Sequence, residues 1–382
     1  MLAIYSKPSF IPFPRALLPL AFACIGVPAF SAPEVDNDFY LMLDANSYEG
    51  SIFSEESGDE SGEEVFLRRA KYSLNVAFSD TFEGEFSAEY DEIEDEFKVK
   101  DLYLTINVGS NFEFNVGQFK GPAGLEKSQS LKYQYFMERS LATNIFTFPR
   151  DTGVRMLFDG NGWNLDVAAV QVDSKEQGYD DGLALSTRAS VMPYRNEDRT
   201  RFIHLGANWS TRDGVERRFD INEPALAYSF GNTFRSPNYQ ADKVDTFGLE
   251  AAFSLGVVSL QTEVFNQSID DRRGQTYEQD GYYTTATWTV FGNAREYRKG
   301  EIDLDKDIGK TLELAARVSH VDSANFGDGD VADVLTIALN YYPTRDYRFV
   351  LEYEQADIDS YDDGNLLVLD GSAVNARFQW VY

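Results

Sequence analysis

The chain holds two histidines, His204 and His320, the residue type best suited to general-base work near neutral pH. Each falls on an alternating apolar–polar stretch, and neither lies in a Gly-x-Ser-x-Gly or comparable setting, so no nucleophile stands beside a base. Two Asp-rich stretches, 325–330 (N-F-G-D-G-D) and 357–364, offer oxygen ligands but lack the twelve-residue calcium-loop pattern and read as solvated loops. No phosphate-cradling glycine loop, zinc spacing or redox motif is present. The sequence therefore reads as carrying no cofactor, no metal and no catalytic machinery. What it does carry is charge on alternate positions. Glu83, Glu85, Glu89, Asp91, Glu113, Glu250, Glu263, Glu313, Glu352 and Glu354 share a face with Arg69, Lys71, Arg188, Arg317, Arg348 and Arg377. Charges set in this way attract, repel and hold ions, and the acid excess focuses cations.

The elements that must position these charges are strands. The stretch 372–382 reads S-A-V-N-A-R-F-Q-W-V-Y, with Val374, Ala376, Phe378, Trp380 and Tyr382 on one face and Asn375, Arg377 and Gln379 on the other. The same period appears at Ala70-Tyr72-Leu74-Val76, Leu102-Leu104-Ile106-Val108, Ile203-Leu205-Ala207-Trp209, Phe247-Leu249-Ala251-Phe253, Leu312-Leu314-Ala316-Val318, Leu335-Ile337-Leu339-Tyr341 and Tyr347-Phe349-Leu351-Tyr353. Weaker strands fit near 152–159, 183–192 and 281–291, for about sixteen in all. Tight turns at Ser79-Asp80-Thr81 and Gly109-Ser110-Asn111 alternate with long polar connections at roughly 120–150, 173–182, 210–242, 268–280 and 355–371. No stretch shows a 3.6-residue period.

Compartment follows from the first 31 residues. They hold Lys7 and Arg15, no acid, an apolar run from Ala16 to Phe30, and the small residues Ala29 and Ser31, the pattern of a cleaved signal peptide. Cys24, the only cysteine, lies inside it, and bulky Phe22 argues against lipidation there. The remaining 32–382 form one domain without disulfides. The 34 basic residues less Lys7 and Arg15 leave 32 against 63 acidic, a formal charge of −31 that excludes nucleic acid as a partner. No later stretch is apolar for the ~18–20 residues of a spanning helix. A soluble sheet hides its apolar face, yet here the other face is charged on nearly every strand and no helix covers either. Turned inside out, the pattern is all-β: a transmembrane antiparallel β-barrel with lipid outside, a wet lumen inside, and aromatics, 14% of the chain, at the interfaces. The expected location is the outer membrane, with its lipid and lipopolysaccharide as partners, the latter bridged weakly by cations at the Asp-rich stretches.

Several motifs resemble one family, the phosphate-selective porins O and P. Phe66-Leu67-Arg68-Arg69-Ala70-Lys71 is similar to its early double-arginine strand, and Glu89-Tyr90-Asp91 with Asp101-Leu102-Tyr103-Leu104 to the next hairpin. Gly117-Gln118-Phe119-Lys120-Gly121-Pro122, Gly124-Leu125-Glu126, Phe136-Met137-Glu138-Arg139-Ser140 and Arg150-Asp151-Thr152-Gly153-Val154 are the most specific. The resemblance implies a homotrimer of sixteen-stranded barrels, each with its third long loop, here about 120–150, folded into the pore. It also implies anion contacts at Arg68, Arg69 and Lys120 by motif, and at Lys127 and Ser128 in the inserted loop. Guanidinium suits phosphate because it presents paired donors.

One departure counts against phosphate. The family's Arg-x-Arg-x-Arg-Pro run is represented only by Arg218-Phe219-Asp220-Ile221-Asn222-Glu223-Pro224, with Asp220 on a ladder position. The expected function is passive diffusion of small ions and hydrophilic solutes, with Glu85, Glu89 and Asp220 as the acidic side of the pore. A cation-preferring or non-selective pore, or a closed structural or adhesin barrel, are the alternatives the residues leave open.

Overall fold

A strand with a polar face and an apolar face must choose which one meets its neighbours. In the computed structural model, which describes residues 33–53, 61–93, 95–172, 182–213, 221–226, 233–304 and 308–382, the polar face goes inward. Arg377 and Gln379 are 3% and 1% exposed, whereas Val374 and Tyr382 on the same strand are 50% and 76% exposed. The outer wall is a band of exposed Leu, Val, Ile and aromatic side chains, Leu205, Leu249, Leu314, Ile337 and Leu351 among them. Lipid is the solvent that suits it.

The strands are β1 (Glu34–Gly50), β2 (Ser61–Ala77), β3 (Phe82–Asp91), β4 (Glu96–Val108), β5 (Phe112–Lys120), β6 (Arg150–Gly160), β7 (Trp163–Val172), β8 (Gly182–Arg195), β9 (Arg201–Asp213), β10 (Asn222–Glu223), β11 (Phe234–Arg235), β12 (Ala241–Leu255), β13 (Val258–Asp271), β14 (Thr276–Phe291), β15 (Glu296–Arg298), β16 (Glu301–Asp303), β17 (Thr311–Asp322), β18 (Gly329–Thr344), β19 (Tyr347–Asp362) and β20 (Asn365–Val381). Sixteen of them close an antiparallel barrel in chain order, while β10–β11 and β15–β16 are separate hairpins. Closure joins β20 to β1, with Trp380 opposite Leu41 and Arg377 opposite Asp44. The closed barrel itself leaves no strand edge for another chain to extend.

Two connections expected to be long are tight. β19 and β20 pair down to Asp362 and Asn365, leaving only Asp363 and Gly364 between them. Both have positive φ, 48° and 79°, the two-residue turn whose twist matches its strands. Likewise only 272–275 separate β13 from β14. Most of the acidic residues that suggested loops lie on the outward face of strand ends, whose inward face carries Ile269, Ala356 and Ile358. Conversely, 292–310 at the end bearing the termini is long and carries β15–β16, a connection the alternating pattern did not reveal. Residues 173–181 and the segment 1–31, expected to be a signal peptide, lie outside the described residues.

The interior is unevenly filled. Ile52 and Phe53, Leu141, Ile145 and Phe146, and Ile221, Leu226 and Phe234, from three connections at the end opposite the termini, form one apolar cluster. Most of the inward residues beneath it, such as Val244, Ile269, Val321, Ala332 and Ile358, come from β12–β20. Phe146 stacks on Phe265 at 5.6 Å between centroids. The open space is left beside β2–β6.

Candidate pore and anion site

That space is a cavity of about 820 Å³ lined by side chains of β2–β6, the segment 121–149, Arg212, Glu223 and Glu301. The segment that bounds it is tied to inward groups on β2, β13 and β17–β20. The Glu263 carboxylate accepts the backbone N–H groups of Leu125 and Glu126 at 2.8 and 2.6 Å. Arg317 reaches Glu126 at 3.1 Å, and Asn340 donates to the Tyr135 carbonyl at 2.7 Å. Glu352 accepts the Met137 N–H at 3.0 Å, while Arg377 donates to the Met137 carbonyl at 2.5 Å and to Glu138 at 2.9 Å. Within the segment, Ser140 caps the helix Leu141–Phe146 by accepting the Thr143 N–H at 3.1 Å. Two of the acids that made the lumen look cation-attracting, Glu263 and Glu352, thus hold this segment, while Glu250 and Glu313 are taken by Arg188 and Arg295.

The double arginine shows how the strand places charge. Alternation would send Arg68 and Arg69 to opposite faces. A bulge in β2, opposite Met42 and Leu43, leaves Arg68 without a register partner, and both arginines turn inward. Arg68 is fully buried behind the cavity wall, held by Asp91 and by Glu138 at 3.0 Å. Arg69 lines the cavity but faces Glu89 at 3.8 Å and Asp91 at 3.7 Å. Neighbouring cations are neutralised in the same way: Arg150 and Lys71 by Asp101 at 2.7 and 3.3 Å, Lys100 by Glu89 at 3.3 Å, Arg212 by Asp151 at 2.8 Å, and Lys132 by Asp38.

Three cations are held differently. Lys120 donates to the carbonyls of Lys127 and Ser128 at 2.9 and 2.7 Å. Arg139 donates to the carbonyls of Glu126, Lys127 and Gln129 at 3.4, 3.3 and 3.2 Å. These are the carbonyls left over at the end of the helical turn Leu125–Ser128. Lys127 joins them on the cavity wall, and none of the three makes a salt bridge to a carboxylate among the described residues. Burial, followed by the charges of Arg139, Lys120 and Arg150, holds the Lys127 ammonium well below the ordinary lysine range. Ser128 also lines the cavity, its hydroxyl donating to the Gly124 carbonyl at 3.0 Å.

On the acidic side, Glu85 accepts the Tyr103 hydroxyl, and Glu89 accepts the Tyr40 hydroxyl at 3.1 Å besides its cations. Asp220 lies outside the described residues. Sequence reasoning missed Arg139 and the β15–β16 hairpin. From the end bearing the termini, the hairpin packs Tyr297 and Ile302 against Phe202 and Leu125. It is pinned by Arg295 to Glu313 at 2.7 Å and by Arg188 to the Gly300 carbonyl at 3.0 Å. The signal was Lys299-Gly300, which adopts positive φ at both residues. His204 is spent here, bridging the Tyr297 hydroxyl at 2.7 Å and Glu250 at 3.0 Å. His320 faces outward, bonded to Asp333 at 2.8 Å and stacked on Tyr282. Among the described residues no group of acids, histidines or cysteines is disposed to hold a metal.

Residues 61–382 match the family model described as phosphate-selective porin O and P. Porin O of Pseudomonas aeruginosa is 24% identical over 310 residues, covering 70% of this chain and 69% of that protein. Among solved structures, an anion-selective porin from Comamonas acidovorans superposes with a TM-score of 0.61 at 10% identity, over 92% of this chain and all of that one. OmpT of Vibrio cholerae in a trimer form gives 0.56 at 13% identity, over 92% and 100%. A closed barrel with an apolar wall, a charged interior and this family match leave one conclusion: the chain belongs to the phosphate-selective porin O and P family and is an outer-membrane channel for passive diffusion.

Proposed function

We propose that the cavity beside β2–β6 is the constriction of the channel and that small anions are drawn through it by Lys120, Lys127 and Arg139. The single observation that supports this reading is the contrast in partners. Most other basic groups on the cavity wall have a carboxylate to neutralise them, whereas these three have backbone carbonyls or nothing. An anion entering the cavity meets Arg139 and the protonated forms of the two lysines with no carboxylate to screen them, and a short filter outweighs loops more than a Debye length away. Ser128 and Arg69 stand at the edge of the site, and Arg68 acts behind it by fixing Glu138. The segment 121–149 is the loop that narrows the pore.

The same reading treats residues 1–31 as a signal peptide, assigns the chain no enzymatic role, and makes it a homotrimer. The short strands β3–β7 and the apolar depression on their outer face at Leu74, Phe86, Leu102 and Val116 support a subunit contact there. Light scattering in detergent tests that assembly, and a monomer at micromolar protein would reject it.

The test of the anion site is the reversal potential of single channels in a potassium chloride gradient. Wild type should favour chloride, and Lys127→Gln combined with Arg139→Gln should move the potential toward zero or to the cation side. A potential unchanged by the double substitution would show that the anions pass elsewhere.

A further inference from the structure

Glu301 is the unusual group on the cavity wall. It sits at the start of β16, in the hairpin that enters from the end bearing the termini, while Lys120 and Lys127 sit on the β5 end and the inserted segment. Its carboxylate has no hydrogen bond or salt bridge among the described residues. The basic groups acting most strongly on it are Lys120 and Arg188, and Arg188 is already committed to Glu250 at 2.8 Å. Burial pushes the Glu301 carboxyl above the ordinary carboxylate range despite those charges. That is the signature of an acid lacking a close partner.

Once the mutual pairs on the wall are set aside, what is left for the solute among the described residues is a group of cations and this carboxylate, Glu85 being taken by the Tyr103 hydroxyl. A polyanion gains from the first and is repelled by the second. A solute that carries an ammonium group a few bonds from its anionic group satisfies both, and brings Glu301 the partner the protein withholds.

We infer that Glu301 is a specificity-determining residue that favours small zwitterions, an anionic group with an ammonium beside it, over simple anions and polyanions. This rests on the anion site proposed above and deepens it.

The experiment is current block of single wild-type channels by a matched pair, phosphoethanolamine and ethyl phosphate, at about pH 8, where both phosphates carry nearly full charge. Phosphoethanolamine should block at a concentration about two- to fivefold lower, the range of one partly screened ion pair. Glu301→Gln should erase that ratio and strengthen block by ethyl phosphate and by inorganic pyrophosphate. Lys127→Gln should weaken both members of the pair and leave their ratio in place. A wild-type ratio near one, or a ratio that survives Glu301→Gln, overturns the inference while leaving the anion site standing. Failure of either compound to block, together with an unchanged reversal potential in Lys127→Gln, overturns the anion site itself. The wild-type ratio needs no variant, so the inference stays testable even should Glu301→Gln assemble poorly.

Discussion

At the scale of single residues, burial without a carboxylate partner should make the proposed anion contact at Lys127 proton-linked. Its ammonium is held well below the ordinary lysine range, and an anion beside it favours the charged form. The charged form is populated as pH falls, so block by sulfate, whose own charge is constant, should strengthen as pH is lowered below the ordinary lysine range. Lys127→Gln should flatten that dependence; a flat wild-type profile would refute the link. Glu138 runs the other way. Burial raises its pKa, but Arg68, Arg69 and Arg377 more than offset this and bring it from 4.5 to about 2. A carboxyl whose pKa is depressed on folding stabilises the fold above its unfolded value and loses that contribution as pH falls through its folded value. The inserted segment should therefore stay seated at neutral pH and loosen between about pH 4.5 and about pH 2. The contribution lost is on the order of 2–3 kcal/mol. Glu138→Gln should bring the loosened, noisier conductance to neutral pH, and quiet channels in that variant would argue against the anchor.

At the scale of elements, depth along a strand decides what a substitution does. On the outward face of β19, Leu351 lies in the apolar band between Tyr347 and Tyr353, and Asp357 lies beyond it toward the tight turn. Leu351→Arg should cost roughly 2–4 kcal/mol of assembly free energy, and Asp357→Arg little. Heat-modifiable mobility of the refolded proteins checks this, and equal yields would place the membrane at the wrong height. The strands were legible because period two is a local property, written in each side chain and its second neighbour. The ends were not, because a strand that leaves the membrane turns polar on its outward face and then looks like loop, as at Asp357 and Asp359, even though Ala356 and Ile358 face inward. Neither was Arg68, whose inward turn depends on a bulge that a linear pattern does not encode. The proposed site is written only in part in the local sequence. Lys120, Lys127 and Ser128 came from motif, but whether a lysine is neutralised depends on which carboxylate arrives from another strand. Arg139 and Glu301 declare themselves only when the pairs are known.

At the scale of the whole molecule, the formal charge of −29 says little about the pore, because the acids facing inward are largely engaged with the segment 121–149 or with arginines. The hairpin of β15 and β16 has a different consequence. It stands at one mouth of the tube only, so the two directions of travel are not equivalent. An anion driven from the end bearing the termini meets Glu301 before the cations, and one driven from the other end meets it after them. A tube with mirror-related mouths obeys Ohm's law in symmetric salt; this one should act as a diode. Current–voltage curves of channels inserted in one orientation should bend, and removing residues 294–304 should straighten them. A linear wild-type curve would mean that ions do not feel which mouth the hairpin guards.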